Sequence, residues 1–199
     1  MQMAYYQDQK FKIHPEVYTP AEDSFLIADN LDVRKDEEVL EIGTGCGLLA
    51  ILAAQAGAKV LATDVNPKAI ECAKENAQDK GVADQIEFKL GDLFKPIGER
   101  KFDLIIFNPP YLPVSRSELT GIQLEKAWAG GSTGRKIIDR FLDDLLIHLE
   151  PEGRSLFVQS SLSGIRETFK KLHQMELQVT TKTEKLSFER IYLFQVSKA

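Results

Sequence analysis

The sequence predicts an α/β fold: a seven-stranded, mostly parallel sheet with helices on both faces and an antiparallel hairpin at its C-terminal side. Three observations lead there. Short apolar runs at 39–42, 59–64, 85–90 and 102–107 are separated mainly by stretches of helical composition, the order of β-α-β units. The first run feeds into a glycine-rich turn, Gly43-Thr44-Gly45-Cys46-Gly47, followed by an alanine- and leucine-rich stretch. Near the C-terminus, two runs at about 178–185 and 190–197 have strand composition, with Tyr192, Phe194 and Val196 alternating.

The elements follow in order. Residues 1–16 are polar with no clear pattern and read as a loose lead-in. Ala21, Phe25, Ala28 and Leu31 fall at helical spacing, and Glu22 and Asp23 suit the positive end of a helix over 21–31. Strand 39–42 leads to helix 47–57, strand 59–64 to helix 67–80, with Pro67 well placed as a first helical residue after Asn66. Strands 85–90 and 102–107 come next. The stretch 113–131 has few regular features and is long enough to be a functional loop over a site. Helix 134–149 is stopped by Pro151 and Gly153, and strand 155–159 and helix 163–175 precede the closing hairpin. At 199 residues and 43% hydrophobic content, one domain over 1–199 with a full core is expected.

Composition narrows the function classes. No run approaches the ~18 apolar residues of a membrane span, and the N-terminus lacks a signal-peptide core. The two cysteines, Cys46 and Cys72, cannot form a zinc cluster alone, and the three histidines show no ligand spacing, so no metal is expected. The compartment reads as cytoplasmic and reducing. A net charge of −5 with a pI near 5.3 gives none of the basic excess typical of nucleic-acid binders.

The residues that carry chemistry sit where the parallel strands end. Run 102–107 passes straight into Asn108-Pro109-Pro110-Tyr111. An apolar strand ending in Asn-Pro-Pro-aromatic suits methylation of a planar nitrogen, whose lone pair is delocalised and needs careful orientation. The Asn108 side-chain oxygen can accept one substrate N–H and the Pro109 carbonyl the other. Consecutive prolines fix φ and press the preceding residue towards extended backbone, so the acceptors are set before substrate arrives. Tyr111 is then expected to lie against the flat face of the target group. Upstream, Glu41 stands just before Gly43, Gly45 and Gly47. The G-x-G-x-G spacing differs from the dinucleotide fingerprint, and the carboxylate suits the ammonium end of a cationic, zwitterionic cofactor better than a pyrophosphate. Asp64 ends the second run, about twenty residues on, where an acid can hold both ribose hydroxyls. Asp92 ends the third, placed to accept from an adenine amino group with Leu93 packed nearby. All lie at the carboxyl ends of strands, where open α/β sheets bind ligands.

The glycine turn with Glu41 resembles motif I of class I S-adenosylmethionine (SAM) methyltransferases, and the full set resembles the HemK-type release-factor glutamine methyltransferase family. Two segments point to its short archaeal and eukaryotic branch. Val17-Tyr18-Thr19-Pro20-Ala21-Glu22-Asp23-Ser24-Phe25 resembles the branch's V-Y-x-P-A-E-D-[TS]-F opening, and Ala127-Trp128-Ala129-Gly130-Gly131 with Gly134-Arg135 resembles its A-W-A-G-G-x-x-G-R segment. The similarity runs from about Val17 to about Leu149. Thr19 stands where the branch often carries Glu, and Ser132-Thr133 where others carry a basic or amide pair. The resemblance implies a Rossmann-like class I methyltransferase fold, SAM as cofactor with S-adenosylhomocysteine as product, and a cofactor-facing Ser24. It implies N5-methylation of the glutamine in the Gly-Gly-Gln tip of a class I peptide-chain release factor. It also implies a small zinc-binding activator docked on the edge strand 85–90. The Asn-Pro-Pro-Tyr chemistry is shared with adenine and cytosine amino-methyltransferases acting on RNA or DNA, which is the second reading. A catalytically silent SAM-fold binding protein is the third.

Overall fold

The computed structural model describes residues 2–115, 121 and 123–198. The chain opens with a small antiparallel hairpin, β1 (Gln2–Tyr6) and β2 (Gln9–Ile13). This corrects the expected loose lead-in over 1–16. Ala4, Tyr6, Phe11 and Ile13 alternate along the two strands and are buried, so the hairpin packs one apolar face onto the body of the molecule. The polar residues between them hide this period-two signal.

Helix α1 (Glu22–Ala28) then leads to the main sheet. Along the chain come β3 (Glu38–Ile42), α2 (Leu48–Gln55), β4 (Lys59–Asp64), α3 (Pro67–Asp79), β5 (Ile86–Leu90) and β6 (Phe102–Phe107). Then follow α4 (Lys136–His148), β7 (Leu149–Ser160), α5 (Ile165–Gln174), β8 (Leu177–Lys185) and β9 (Arg190–Lys198). The sheet has seven strands in the order β5-β4-β3-β6-β7-β9-β8. The strands from β5 to β7 pair in parallel, whereas β7–β9 and β8–β9 are antiparallel. The expected seven-stranded α/β architecture, its C-terminal hairpin and β5 as an edge are all present.

Local chemistry explains most boundaries. The Asn66 side chain caps α3 by accepting from the Lys68 backbone N–H at 2.9 Å, with Pro67 as first helical residue. Helix α2 buries Leu48 to Ile51, Ala53 and Ala54 and is apolar nearly all round, as a fully covered helix is. Strand β6 is buried on both faces, so it reads as a continuous apolar run. Its Leu104 and Ile106 join Val39, Val158 and Leu193 on the face covered by the hairpin, α1, α2 and α3. Its Ile105 and Phe107 join Leu40, Phe157 and Phe194 on the α4 and α5 face. There Phe141 packs against Phe107 and Phe157 at centroid distances of 4.9 and 5.6 Å.

Two further boundaries differ from expectation. Strand β7 begins at Leu149, before the expected 155, because Phe102 pairs with Leu149 and the ladder then shifts register across the Pro151–Gly153 stretch. A Cβ on Gly153 would stand 2.9 Å from the Phe102 carbonyl oxygen, so glycine lets the irregular segment close against β6. The 113–131 stretch is partly regular: 123–127 form a short 3-10 helix, and Leu112 bridges Ala129 in parallel. Positions 116–120 and 122 of that expected loop lie outside the described residues.

The topology decides where a ligand can sit. From β3 the chain winds outwards through β4 to β5, then returns to β6 on the other side of β3. The loops leaving β3 and β6 therefore diverge and open a crevice at the carboxyl ends of the strands. Among the described residues, no helix is long and apolar enough to cross a membrane.

Candidate active site

A cavity of ≈ 430 Å³ fills this crevice. Ser24, Glu41, Gly43, Gly45, Asp64, Asp92, Leu93, Asn108 and Pro110 line it, so most of the residues singled out in the sequence converge on one space. Gly47, Pro109 and Tyr111 do not line it.

Glu41 stands at the end of β3, almost fully buried. Its Oε2 accepts from the Thr44 hydroxyl at 2.5 Å and from the Ala50 N–H at 3.0 Å. Burial pushes its carboxyl up to about 8; the two hydrogen bonds pull the other way and nearby Asp64 adds to the rise. Thr44 was not singled out in the sequence, although a hydroxyl three residues after an acid within a glycine turn is a usable signal. Gly43, Gly45 and Gly47 all have positive φ. At Gly47 the reason is packing: a Cβ there would meet the Ala73 Cβ at 3.0 Å, so the glycine brings the start of α2 against α3. Asn76 of α3 donates to the Cys46 carbonyl at 2.8 Å, and it both donates to and accepts from the Lys12 backbone at 2.9 Å. The N-terminal hairpin thereby braces the glycine turn. Burial pushes the Cys46 thiol up to about 12, which keeps it protonated and inert.

Asp64 links the second strand end to the same turn. Its Oδ2 accepts from Gly45 N–H at 3.0 Å and its Oδ1 from Asn66 N–H at 2.8 Å. Burial raises its carboxyl above the ordinary value, against the pull of these backbone donors. A carboxylate offers about four acceptor sites, so each oxygen retains capacity towards the cavity. Asp92 is held differently from expectation. Arg140 of α4 and Lys95 both reach its Oδ2, at 2.7 and 3.0 Å, and Arg140 is the main cause of its lowered pKa. Leu93 takes left-handed backbone at φ 51°, which costs about 1–2 kcal/mol for a side chain with a Cβ. The turn drives its buried side chain against the cavity.

Asn108 leaves β6 with its Nδ2 donating to the Ser24 hydroxyl at 3.1 Å. The amide oxygen is left as an acceptor on the other side. Tyr111, expected against the flat face of the target group, does not line the cavity: it is buried, and its hydroxyl donates to Asp23 at 2.9 Å. The A-W-A-G-G segment clamps this exit. Leu112 N–H donates to the Trp128 carbonyl, Gly130 N–H to Leu112, and Val114 N–H to Gly131. A Cβ on Gly134 would stand 2.3 Å from the Tyr111 carbonyl oxygen, and one on Gly130 2.6 Å from that of Gly134, so both glycines permit a close backbone approach. Arg135 fixes the far side by donating to the carbonyls of Ser163 and Gly164 and to Thr168.

Residues 9–123 match the model of the Methyltransferase small domain. The chain is 45% identical over 184 residues to a putative protein N5-glutamine methyltransferase of Methanocaldococcus jannaschii, covering 92% of each. The chain belongs to the HemK family of methyltransferases. It is also 37% identical over 177 residues to the human methyltransferase HEMK2, covering 83% of this chain and 82% of that one. Its fold is similar to that of the E. cuniculi Mtq2–Trm112 complex, described as responsible for the methylation of the translation termination factor eRF1. The TM-score is 0.69 at 23% identity, over 92% of this chain and 99% of that one; this likeness is one of fold. The protein is therefore a methyltransferase.

Several lining residues of this HemK-type site were not assigned from sequence. Glu16, Val17, Tyr18 and Pro20 form one wall, and Lys136 and Ile137 another. The first group falls largely in the V-Y-x-P-A-E-D segment. Asp23, read from sequence as a helix-start acid and a member of that segment but given no role in the site, is buried.

Proposed function

We propose that this methyltransferase moves the methyl group of SAM onto the side-chain nitrogen, N5, of the glutamine in the Gly-Gly-Gln segment of a class I peptide-chain release factor. The single observation that carries the reading is the Asn108 amide, tethered through Nδ2 and presenting its oxygen at the end of β6 beside the cavity acids. The M. jannaschii relative's name supports the glutamine target, and the Mtq2–Trm112 complex, described as methylating eRF1, supports the release factor. The acidic balance of the chain weighs against an RNA or DNA substrate.

The donor and acceptor set fits SAM. Glu41 takes the ammonium of the methionine part, and the positive-φ glycines let backbone approach it. Asp64 takes the ribose hydroxyls, and Asp92 with Leu93 borders the adenine. Ser24 faces the same space. When bound, SAM supplies an electrophilic sulfonium methyl.

The chain's own residues supply orientation. Asn108 Oδ1 accepts one N–H of the glutamine amide, and the amide must settle past the cavity lining for the Pro109 carbonyl, which does not line the cavity, to accept the other. With both hydrogens held, the nitrogen lone pair faces out of the amide plane towards the methyl. No base need act first, because the nitrogen becomes acidic only as it gains the carbon; the C–S bond breaks to leave S-adenosylhomocysteine, and the methylated nitrogen then gives up its proton to water as product departs. Burial of the site keeps water from competing. We place the reaction in the cytoplasm and assign a small zinc-binding activator to the exposed edge of β5. Tritium transfer from labelled SAM to release factor, RNA and DNA tests the reading: label on the factor that disappears when its Gly-Gly-Gln glutamine becomes alanine supports it, and label only on nucleic acid overturns it.

A further inference from the structure

We infer that Asp23 is a positioning residue for methyl transfer: acting through Ser24, it decides which way round the Asn108 amide is held. The inference rests on the proposed role of Asn108 as acceptor for the substrate amide.

Four donors converge on the buried Asp23 carboxylate. They are the Ser24 N–H at 2.6 Å, the Ser24 hydroxyl at 3.2 Å, the Tyr18 hydroxyl at 3.2 and 3.3 Å to its two oxygens, and the Tyr111 hydroxyl at 2.9 Å. An ionised carboxylate only accepts. The Ser24 proton is therefore directed at Asp23, and the oxygen of Ser24 is left to accept. It accepts from Asn108 Nδ2 at 3.1 Å. The direction of this chain is fixed at one end only, by Asp23.

The opposite arrangement has a definite cost. Turning the amide round sets Asn108 Oδ1 against the Ser24 oxygen. That contact needs the Ser24 proton, which must then leave a buried carboxylate one donor short. It also presents an NH2 where the glutamine NH2 must dock, donor against donor. Burial and the neighbouring Asp23 charge both raise the Tyr18 and Tyr111 phenols, so both stay protonated donors. Tyr111 ties the far end of Asn108-Pro109-Pro110-Tyr111 to the same carboxylate that orients its near end. One acid on α1 thus sets both ends of the catalytic segment.

Asp23→Asn keeps the shape and reverses the polarity. Its NH2 can donate to the Ser24 oxygen, freeing the Ser24 proton for Asn108 Oδ1. Turnover on release factor at saturating SAM is expected to fall about ten- to a hundredfold, the scale of a lost or misplaced positioning contact, with SAM affinity unchanged. Ser24→Ala cuts the same chain while leaving both tyrosine bonds intact, and carries the test through turnover and the amide signal alone if Asp23→Asn melts early, because Ser24 itself lines the cofactor cavity. The double variant should be no slower than the slower single one, because the chain acts as a unit. A readout free of substrate is the Asn108 side-chain amide in a nitrogen–proton correlation spectrum, assigned by its absence in Asn108→Ala. Its Nδ2 protons should exchange slowly with water in the wild type and rapidly in either variant. Unchanged turnover with wild-type amide signals, rate losses that multiply in the double variant, or SAM affinity falling in step with turnover in Asp23→Asn would overturn the inference. If the wild-type chain labels no release factor, the substrate reading fails, while the amide signals still decide the role of Asp23.

Discussion

SAM affinity should depend on pH in a way that Glu41 dictates. Burial holds this carboxyl up at about 8, and Oε2 is occupied by Thr44 and Ala50 donors, which leaves Oε1 to carry the proton. At about pH 6.5 the group is then more than about nine-tenths protonated. Taking the ammonium of SAM requires the ionised form, so binding expels about one proton there, and affinity should rise about tenfold per pH unit up to about pH 8. An α-amino group has an ordinary value of about 7.7–8.0, so loss of the ammonium turns affinity down again at higher pH. The expected profile is a bell with its maximum near pH 8. Titration calorimetry across pH, in buffers of different ionisation enthalpy, gives both affinity and proton count. Glu41→Gln should weaken binding and lose the acid arm. An affinity flat between about pH 6 and 8 in the wild type, or an acid arm retained in Glu41→Gln, refutes the assignment. The sign for stability follows from the same shift. The folded chain holds this proton more tightly than the unfolded one, whose value is near 4.5. Its stabilising contribution is thus full below about 4.5 and is lost as pH rises through about 8.

Asp64→Ala should weaken SAM binding about ten- to a hundredfold, since a carboxylate–diol contact is worth about 1.5–3 kcal/mol; unchanged affinity in a folded variant, read by calorimetry, removes the ribose assignment. Asn108→Ala should lower turnover by about a hundredfold or more while changing SAM affinity much less; near-normal turnover contradicts the proposed chemistry. Gly134→Ala should destabilise the fold by about 2–4 kcal/mol, because its Cβ meets the Tyr111 carbonyl and its φ is 72°; a melting temperature equal to wild type shows that the clamp yields. On the edge strand β5 the Gly91 N–H bonds to Asp64 of β4, so by alternation the Leu90 N–H faces the open side; Leu90→Pro, at an exposed side chain, should abolish capture of a co-expressed zinc-binding activator without unfolding the chain, and wild-type capture by the folded variant places the partner elsewhere.

The sequence by itself determined the order of strands and helices of the main seven-stranded sheet and the carboxyl-end positions of Glu41, Asp64, Asp92 and Asn108. These are legible because they are local: a strand announces its burial by composition, a glycine turn announces where it ends, and two prolines announce an extended exit. Even β7, longer than expected, departs only where Pro151 and Gly153 interrupt the pattern. Tertiary structure decided what lies across the fold. Nothing local to Tyr111 shows that its hydroxyl meets Asp23, 88 positions earlier, or that Ser24 meets Asn108 across 84. Arg140 claims Asp92 from another helix. The β1–β2 hairpin gains its order from the apolar surfaces it covers. Periodicity along an element tells which of its side chains turn inward, because it reports burial; it carries no record of which distant donor or acceptor a buried side chain will meet, because packing of the sheet, and not the chain's local geometry, brings those partners within hydrogen-bond reach.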